Sequence, residues 1–259
     1  MQTTKARLLL RRPGEACDRI RNKVQGWTQP PEEPCTLADV ADPSTLATAV
    51  VALFPGEFEQ AGDCSQIKSH IDQRHRELRA ETRPFGVFHN GTVTLGELCY
   101  LTCLYLRPRI VVETGVAYGV TSAYILQALS EFGQGELHSI DLPPLAANAD
   151  SHVGYFVPQD FRGRWKLLRG SAKRLLPTVI REVGAIDMFV HDSLHSYSHM
   201  KWEFETALRS LRPGGVLIAD DIEGNRAFEE ITRHPSVASW FAIRQEGKDA
   251  ICGAIRTHF

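Results

Sequence analysis

Residues 110–122 read IVVETGVAYGVTS. Ile110, Val111 and Val112 are β-branched and the apolar run stops at Glu113, the pattern of a strand buried on both faces of a parallel sheet. Gly115 and Gly119 separate it from an apolar helical pattern over residues 123–129. Glycines there let the backbone turn tightly and approach a ligand where the first amides of the new helix lack partners. The stretch therefore predicts the entrance of a nucleotide-type site. A dinucleotide fingerprint needs G-x-G-x-x-G after the strand, and Ala117 stands in place of its middle glycine, which argues against NAD.

Outward from this turn, strand and helix patterns alternate. Strands are expected at 110–113, 137–140, 165–169, 186–190 and 215–219, and helices at 94–106, 121–131, 172–182 and 198–211. Two further strand-like runs, 240–244 and 250–255, are close enough to form a hairpin. The expected fold is α/β: a doubly wound, Rossmann-like sheet of seven mostly parallel strands with a terminal antiparallel hairpin, preceded by an N-terminal helical segment. Residues 142–164 show no period, and a loop this long beside a strand end predicts a lid or binding loop. In it, Tyr155 and Phe156 either face a substrate or pack beneath the loop.

The E-x-G-x-x-x-G-x-S pattern from Glu113 to Ser122, followed by Asp141 at the end of the next strand, resembles the first motif of class I S-adenosylmethionine-dependent methyltransferases. The likeness covers roughly residues 94–255, and a terminal hairpin is that family's ending. It implies contacts to S-adenosyl-L-methionine from Glu113, Gly115, Tyr118, Gly119, Ser122, Asp141, Gly170, Ser171 and Asp192. Glu113 and Ser122 would hold the methionine end and residues 170–172 would lie beside the adenine. Asp141 is placed as the carboxylate that takes the ribose hydroxyls in dinucleotide folds. Ser171 also reads as an ordinary helix N-cap.

A second cluster is written in IDMFVHDSLHSY (186–197) and GVLIADDIEGN (215–225). Ligands of an open α/β sheet bind outside the carboxyl ends of its strands, so these two strands bring Asp192, Asp220 and Asp221 together, with His195 beside them. Three carboxylates in one place repel unless a cation neutralises them or protons stay bound, and oxygen ligands suit Mg²⁺, Ca²⁺ or Mn²⁺. The arrangement resembles the metal-dependent small-molecule O-methyltransferases of the catechol type. It is more similar to the cephalosporin-hydroxylase-like branch, whose H-D-S-x-H-x-Y stretch it matches. That likeness implies Asp192, Asp220 and Asp221 as metal ligands, with Asp192 and His195 as the candidate catalytic residues. The catechol type carries asparagine where Asp221 stands and lysine where His195 stands. With that lysine replaced, neutral His195 is the expected proton acceptor. Any one of the aspartates could merely cap a helix or orient a loop; His191 reads as a packing residue and His199 as a helix-surface residue.

Composition bounds the alternatives. The 259 residues are 43% hydrophobic with a formal charge of -2, which offers no footprint for nucleic acid or an anionic membrane. Six cysteines fall in neither spaced zinc-site pairs nor a disulfide scaffold, so a cytoplasmic location is expected, with Cys99 and Cys103 as buried helix-face thiols. Residues 1–12 contain no signal-peptide core, and no stretch is apolar enough to span a bilayer. Residues 1–84, broken by prolines and with the better helices at 45–54 and 67–78, are expected to form a helical cap or an oligomer contact. Residues 85–259 are expected to form the cofactor-binding domain, and the first third should be partly dispensable for cofactor binding but not for turnover. The expected activity is methylation of a hydroxyl on a small molecule, with S-adenosyl-L-methionine and Mg²⁺ or another divalent cation. A nicotinamide oxidoreductase, a non-catalytic binding module and metal-free transfer through His195 are the competing readings.

Overall fold

The computed structural model describes residues 12–28, 32–56, 62–78, 83–86, 91–146 and 148–259. Residues 1–11 of the stretch read for a signal-peptide core lie outside them, as do residues 29–31 of the proline-broken first third. In chain order the elements are helix α1 (Pro13–Thr28), strand β1 (Val40–Ala41), α2 (Leu46–Leu53), α3 (Ser65–Glu77), α4 (Val93–Leu106), β2 (Ile110–Thr114) and α5 (Val120–Glu131). Then follow β3 (Glu136–Asp141), the short α6 (Ala149–His152), β4 (Trp165–Arg169), α7 (Ala172–Val183), β5 (Ile186–His191), α8 (Tyr197–Leu208), β6 (Leu211–Ala219), α9 (Ala227–Thr232), β7 (Val237–Arg244) and β8 (Ile251–Thr257).

All seven expected strands form, and an eighth, the two-residue β1, adds to the edge in parallel with β7. The order is β1-β7-β8-β6-β5-β2-β3-β4, and β8 alone runs antiparallel to its neighbours β6 and β7. Alternate side chains of each strand enter separate cores. Val111, Met188, Val190, Val216 and Ile218 pack with α4 and α5, whereas Val112, Phe189, Leu217 and Ala219 pack with α7, α8 and α9. Both faces of β2, β5 and β6 are therefore dry, as the unbroken apolar runs require. Leu46, Val50, Ile67 and Ile71 of α2 and α3 join the first of these cores.

The 142–164 segment carries α6 and a 3-10 turn, Gln159–Arg164, and its middle is packed down rather than left open. Phe156 is fully buried against Tyr118, with ring centroids 5.6 Å apart, so packing is its role. Tyr155 stacks on His152. The segment is pinned to the cofactor turn by hydrogen bonds from Gly154 N–H to the Ala117 carbonyl (3.0 Å) and from Phe156 N–H to the Tyr118 carbonyl (2.9 Å). No helix among the described residues is long and apolar enough to cross a membrane.

Candidate active site

The carboxyl ends of β2, β3, β5 and β6 open onto a cavity of about 820 Å³. On one side lie Gly115, Asp141 and residues 170–172; on the other lie Asp192, His195 and Asp220. The turn after β2 fits close against the second group. Gly115 has φ +85°, and a Cβ on it would sit 1.7 Å from the Asp192 carbonyl oxygen, so only glycine lets the cofactor turn and the acidic loop touch. Asp192 N–H donates to the Thr114 carbonyl (2.8 Å), closing the contact. Ala117 takes φ +48°, the left-handed conformation its missing glycine would have adopted without cost.

Asp141 ends β3 at the cavity wall. Its Oδ1 accepts from Val116 N–H at 3.2 Å, while its buried Oδ2 has no partner. Burial pushes this carboxyl up to about 6, against the backbone N–H groups of Val116 and Ala117, which hold it down. A carboxylate with a bare oxygen at a strand end fits a ribose diol, which would satisfy that oxygen. Gly170 and Ser171 complete this wall, Gly170 N–H donating to the Asp141 carbonyl at 2.8 Å. Ser171 stands at the N-cap position of α7 without a side-chain capping bond.

Four of the expected cofactor residues lie behind the cavity lining rather than in it. Glu113 Oε2 accepts from the hydroxyls of Ser122 and Ser139, both at 2.6 Å, and Oε1 is buried without a partner. Burial raises the Glu113 carboxyl to about 7. Tyr118 is buried and donates to the Phe85 carbonyl at 2.7 Å. Gly119, at φ +86°, faces the Gly154 backbone, where a Cβ would come within 2.8 Å of Gly154 Cα. These residues shape the turn from below.

The acidic cluster forms at the ends of β5 and β6. Ligand atoms of Asp192, His195 and Asp220 lie within 4.8 Å of one another. His195 Nε2 is 3.7 Å from Asp192 Oδ1 and 3.9 Å from Asp221 Oδ2. The carboxylates are not equivalent. Asp220 Oδ1 accepts from Gln245 Nε2 at 2.6 Å, and Asp221 Oδ1 pairs with Lys248 Nζ at 2.8 Å. Burial, then the charges of Asp220 and Asp221, push the Asp192 carboxyl well above the ordinary range. Burial and Asp221 raise Asp220 to about 6, with Lys248 opposing. His195 is pushed down to about 4, first by burial and next by His191. It is neutral near pH 7, the form that accepts a proton. Two carboxylates and an imidazole nitrogen at this spacing suit a divalent cation.

Behind the cluster lies a network that sequence reasoning missed. Glu203 of α8 is fully buried and accepts from Thr114, His191, Ser193 and His199. His199, expected on a helix surface, is 2% exposed and donates to Glu203 across 2.9 Å, because the polar stripe of α8 faces the strand ends. Lys248 and Gln245 were missed for a topological reason. β7 is antiparallel to β8 and so runs with β6, which puts the residues following β7 at the carboxyl edge beside Asp220 and Asp221.

A doubly wound sheet with this cavity and an antiparallel β8 defines a class I methyltransferase fold. Residues 112–222 match the family described as a methyltransferase domain. An O-methyltransferase from Bacillus cereus in complex with S-adenosylhomocysteine superposes with a TM-score of 0.56 at 19% identity, covering 83% of this chain and 100% of that one. The Streptomyces achromogenes O-methyltransferase involved in tomaymycin synthesis, in complex with S-adenosylmethionine, gives 0.56 at 21% identity over 81% and 96%. A methyltransferase from Podospora anserina bound to S-adenosylhomocysteine gives 0.54 at 13% identity over 88% and 99%. No curated protein matches the sequence. The fold is that of the class I methyltransferases, and residues 112–222 carry the likeness to a methyltransferase domain.

Proposed function

We propose that this enzyme transfers a methyl group to a hydroxyl of a small molecule with the help of a divalent cation. The observation that carries the reading is the convergence of Asp192, His195 and Asp220 in one cavity with Asp141 and the Gly115 turn. S-adenosylmethionine, when bound, supplies an activated methyl group that needs only an in-line oxygen nucleophile. The chain's part is to position and ionise that oxygen. Asp141 would bind the ribose, and Gly115 leaves its backbone open to the cofactor. Asp192 and Asp220 would hold the cation, which lowers the pKa of a bound hydroxyl. His195, neutral and at the cavity wall, would take the proton.

A second reading, transfer without metal, is favoured by Lys248. Its ammonium already lies 2.8 Å from Asp221 and supplies positive charge to the cluster, leaving His195 to carry the proton alone.

Calorimetry and methyl-transfer assays on a panel of phenols, catechols and sugar alcohols test both readings. Wild type should bind S-adenosylmethionine and Asp141→Ala should bind it about a hundredfold more weakly, since charge-assisted hydrogen bonds are worth about 1.5–3 kcal/mol each. Turnover lost in chelator and restored by Mg²⁺ or Mn²⁺ supports the first reading; turnover indifferent to chelator supports the second. No cofactor binding by wild type would end both.

A further inference from the structure

Helix α1 is fastened across the Asp141 side of the cavity, and its fastenings are unusually buried for an N-terminal segment. Glu15 is 4% exposed and Asp18 is 3% exposed. Glu15 accepts from Arg169 Nε (2.9 Å) and from Arg19, while Asp18 accepts from Arg174 Nε (2.8 Å). Arg12 pairs with Asp150, and Arg19 also donates to the Pro143 carbonyl. Arg169 ends β4 directly before Gly170; Arg174 lies three residues beyond Ser171; Pro143 lies two beyond Asp141. The helix is thus tied to both loops that form the nucleoside side of the pocket. Buried carboxylates persist only where they are paired and hydrogen-bonded.

The fastened helix presents Arg19 and Asn22 to the same cavity, beside Pro143 and residues 170–172. In the sheet order, β3 and β4 lie on one side of β2, and β5 and β6, which carry the acidic cluster, lie on the other. Helix α1 is therefore remote from the transfer chemistry and adjacent to the base end. Asn22 makes no hydrogen bond among the described residues, and its carboxamide offers one acceptor and two donors.

We infer that α1 is a wall of the S-adenosylmethionine pocket and that Asn22 is a binding residue for the adenine edge of the cofactor, with Arg19 forming the adjoining wall. The inference rests on the cofactor reading above and adds to it an element from outside the matched domain. An adenine edge pairs an amino donor with a ring-nitrogen acceptor, the complement of a carboxamide. It also replaces the expectation that the first third could be removed without loss of cofactor binding.

Calorimetry on the full chain tests this, with S-adenosylhomocysteine and its analogue in which the base is unsubstituted purine and lacks the exocyclic amino group. Asn22 is partly exposed, so Asn22→Ala should fold as wild type does. Wild type should prefer the adenine compound by about tenfold, one good polar contact to a base edge. Asn22→Ala should bind S-adenosylhomocysteine about tenfold more weakly and bind the two compounds equally. A preference that is the same in wild type and variant would overturn the role of Asn22, and so would unchanged affinity in the variant. Binding by wild type, whatever the variant does, keeps the cofactor reading standing, so the two failures are distinct.

Discussion

Glu203 Oε2 lies 2.6 Å from His191 Nδ1, and both side chains are fully buried directly behind Asp192. Burial alone would push the Glu203 carboxyl up; its interactions with His191 and His199 outweigh burial and hold the group far below the ordinary range. An ionised glutamate in a dry site fixes the tautomers of both imidazoles, since each must present an N–H to it.

Glu203→Ala is therefore expected to destabilise the fold by about 3 kcal/mol or more, because it strands buried donors from Thr114, His191, Ser193 and His199, and each stranded group costs roughly 1–3 kcal/mol. Denaturant unfolding measures it. A loss below about 1 kcal/mol would mean that water replaces the carboxylate and that the network is not structural.

Glu113 makes stability depend on pH. Its folded pKa of about 7 lies above its ordinary 4.5, so the folded state holds the proton more tightly than the unfolded chain does. The contribution is fully present below about pH 4.5 and is lost as pH rises through about 7, a swing of about 3 kcal/mol. Other groups titrate in the same window, so the readout is a difference. Relative to Glu113→Gln, wild type should lose stability between pH 5 and pH 8. Parallel melting curves for the two proteins across that range would show that Glu113 does not titrate there.

Lys248 and a cation bound at the cluster would compete for one patch of negative charge. Lys248→Met frees Asp221 and should enlarge the rise in melting temperature produced by Mn²⁺ or Mg²⁺, whereas Asp220→Asn should shrink it. Mass action sets the scale, about 2.7 kcal/mol with the ion at a hundred times its dissociation constant. If added ion leaves the melting temperature of wild type and both variants unchanged, the cluster binds no cation and the transfer runs without one.

Local sequence determined a good deal of this protein. The unbroken apolar runs of β2, β5 and β6, the glycines at 115 and 119, and the aspartates at 141, 192, 220 and 221 were all legible, because strand ends in a parallel sheet share one edge and their chemistry can be placed before any packing is known. The small β1 was not legible, since two residues carry no period. Nor was the inward face of His199 or the role of Glu203, because a polar residue on a helix reads the same whether it meets water or a buried partner. The tertiary structure alone set Lys248 against Asp221 and laid α1 over the Asp141 side. Both are contacts between segments far apart in the chain, Lys248 with residue 221 and Glu15 with Arg169, and each depends on where the connecting elements turn back rather than on the residues at either end. The division between Glu113 below the turn and Asp141 at the cavity wall was likewise decided by packing, which set one carboxylate among serine hydroxyls and the other against the Val116 N–H in the cavity lining.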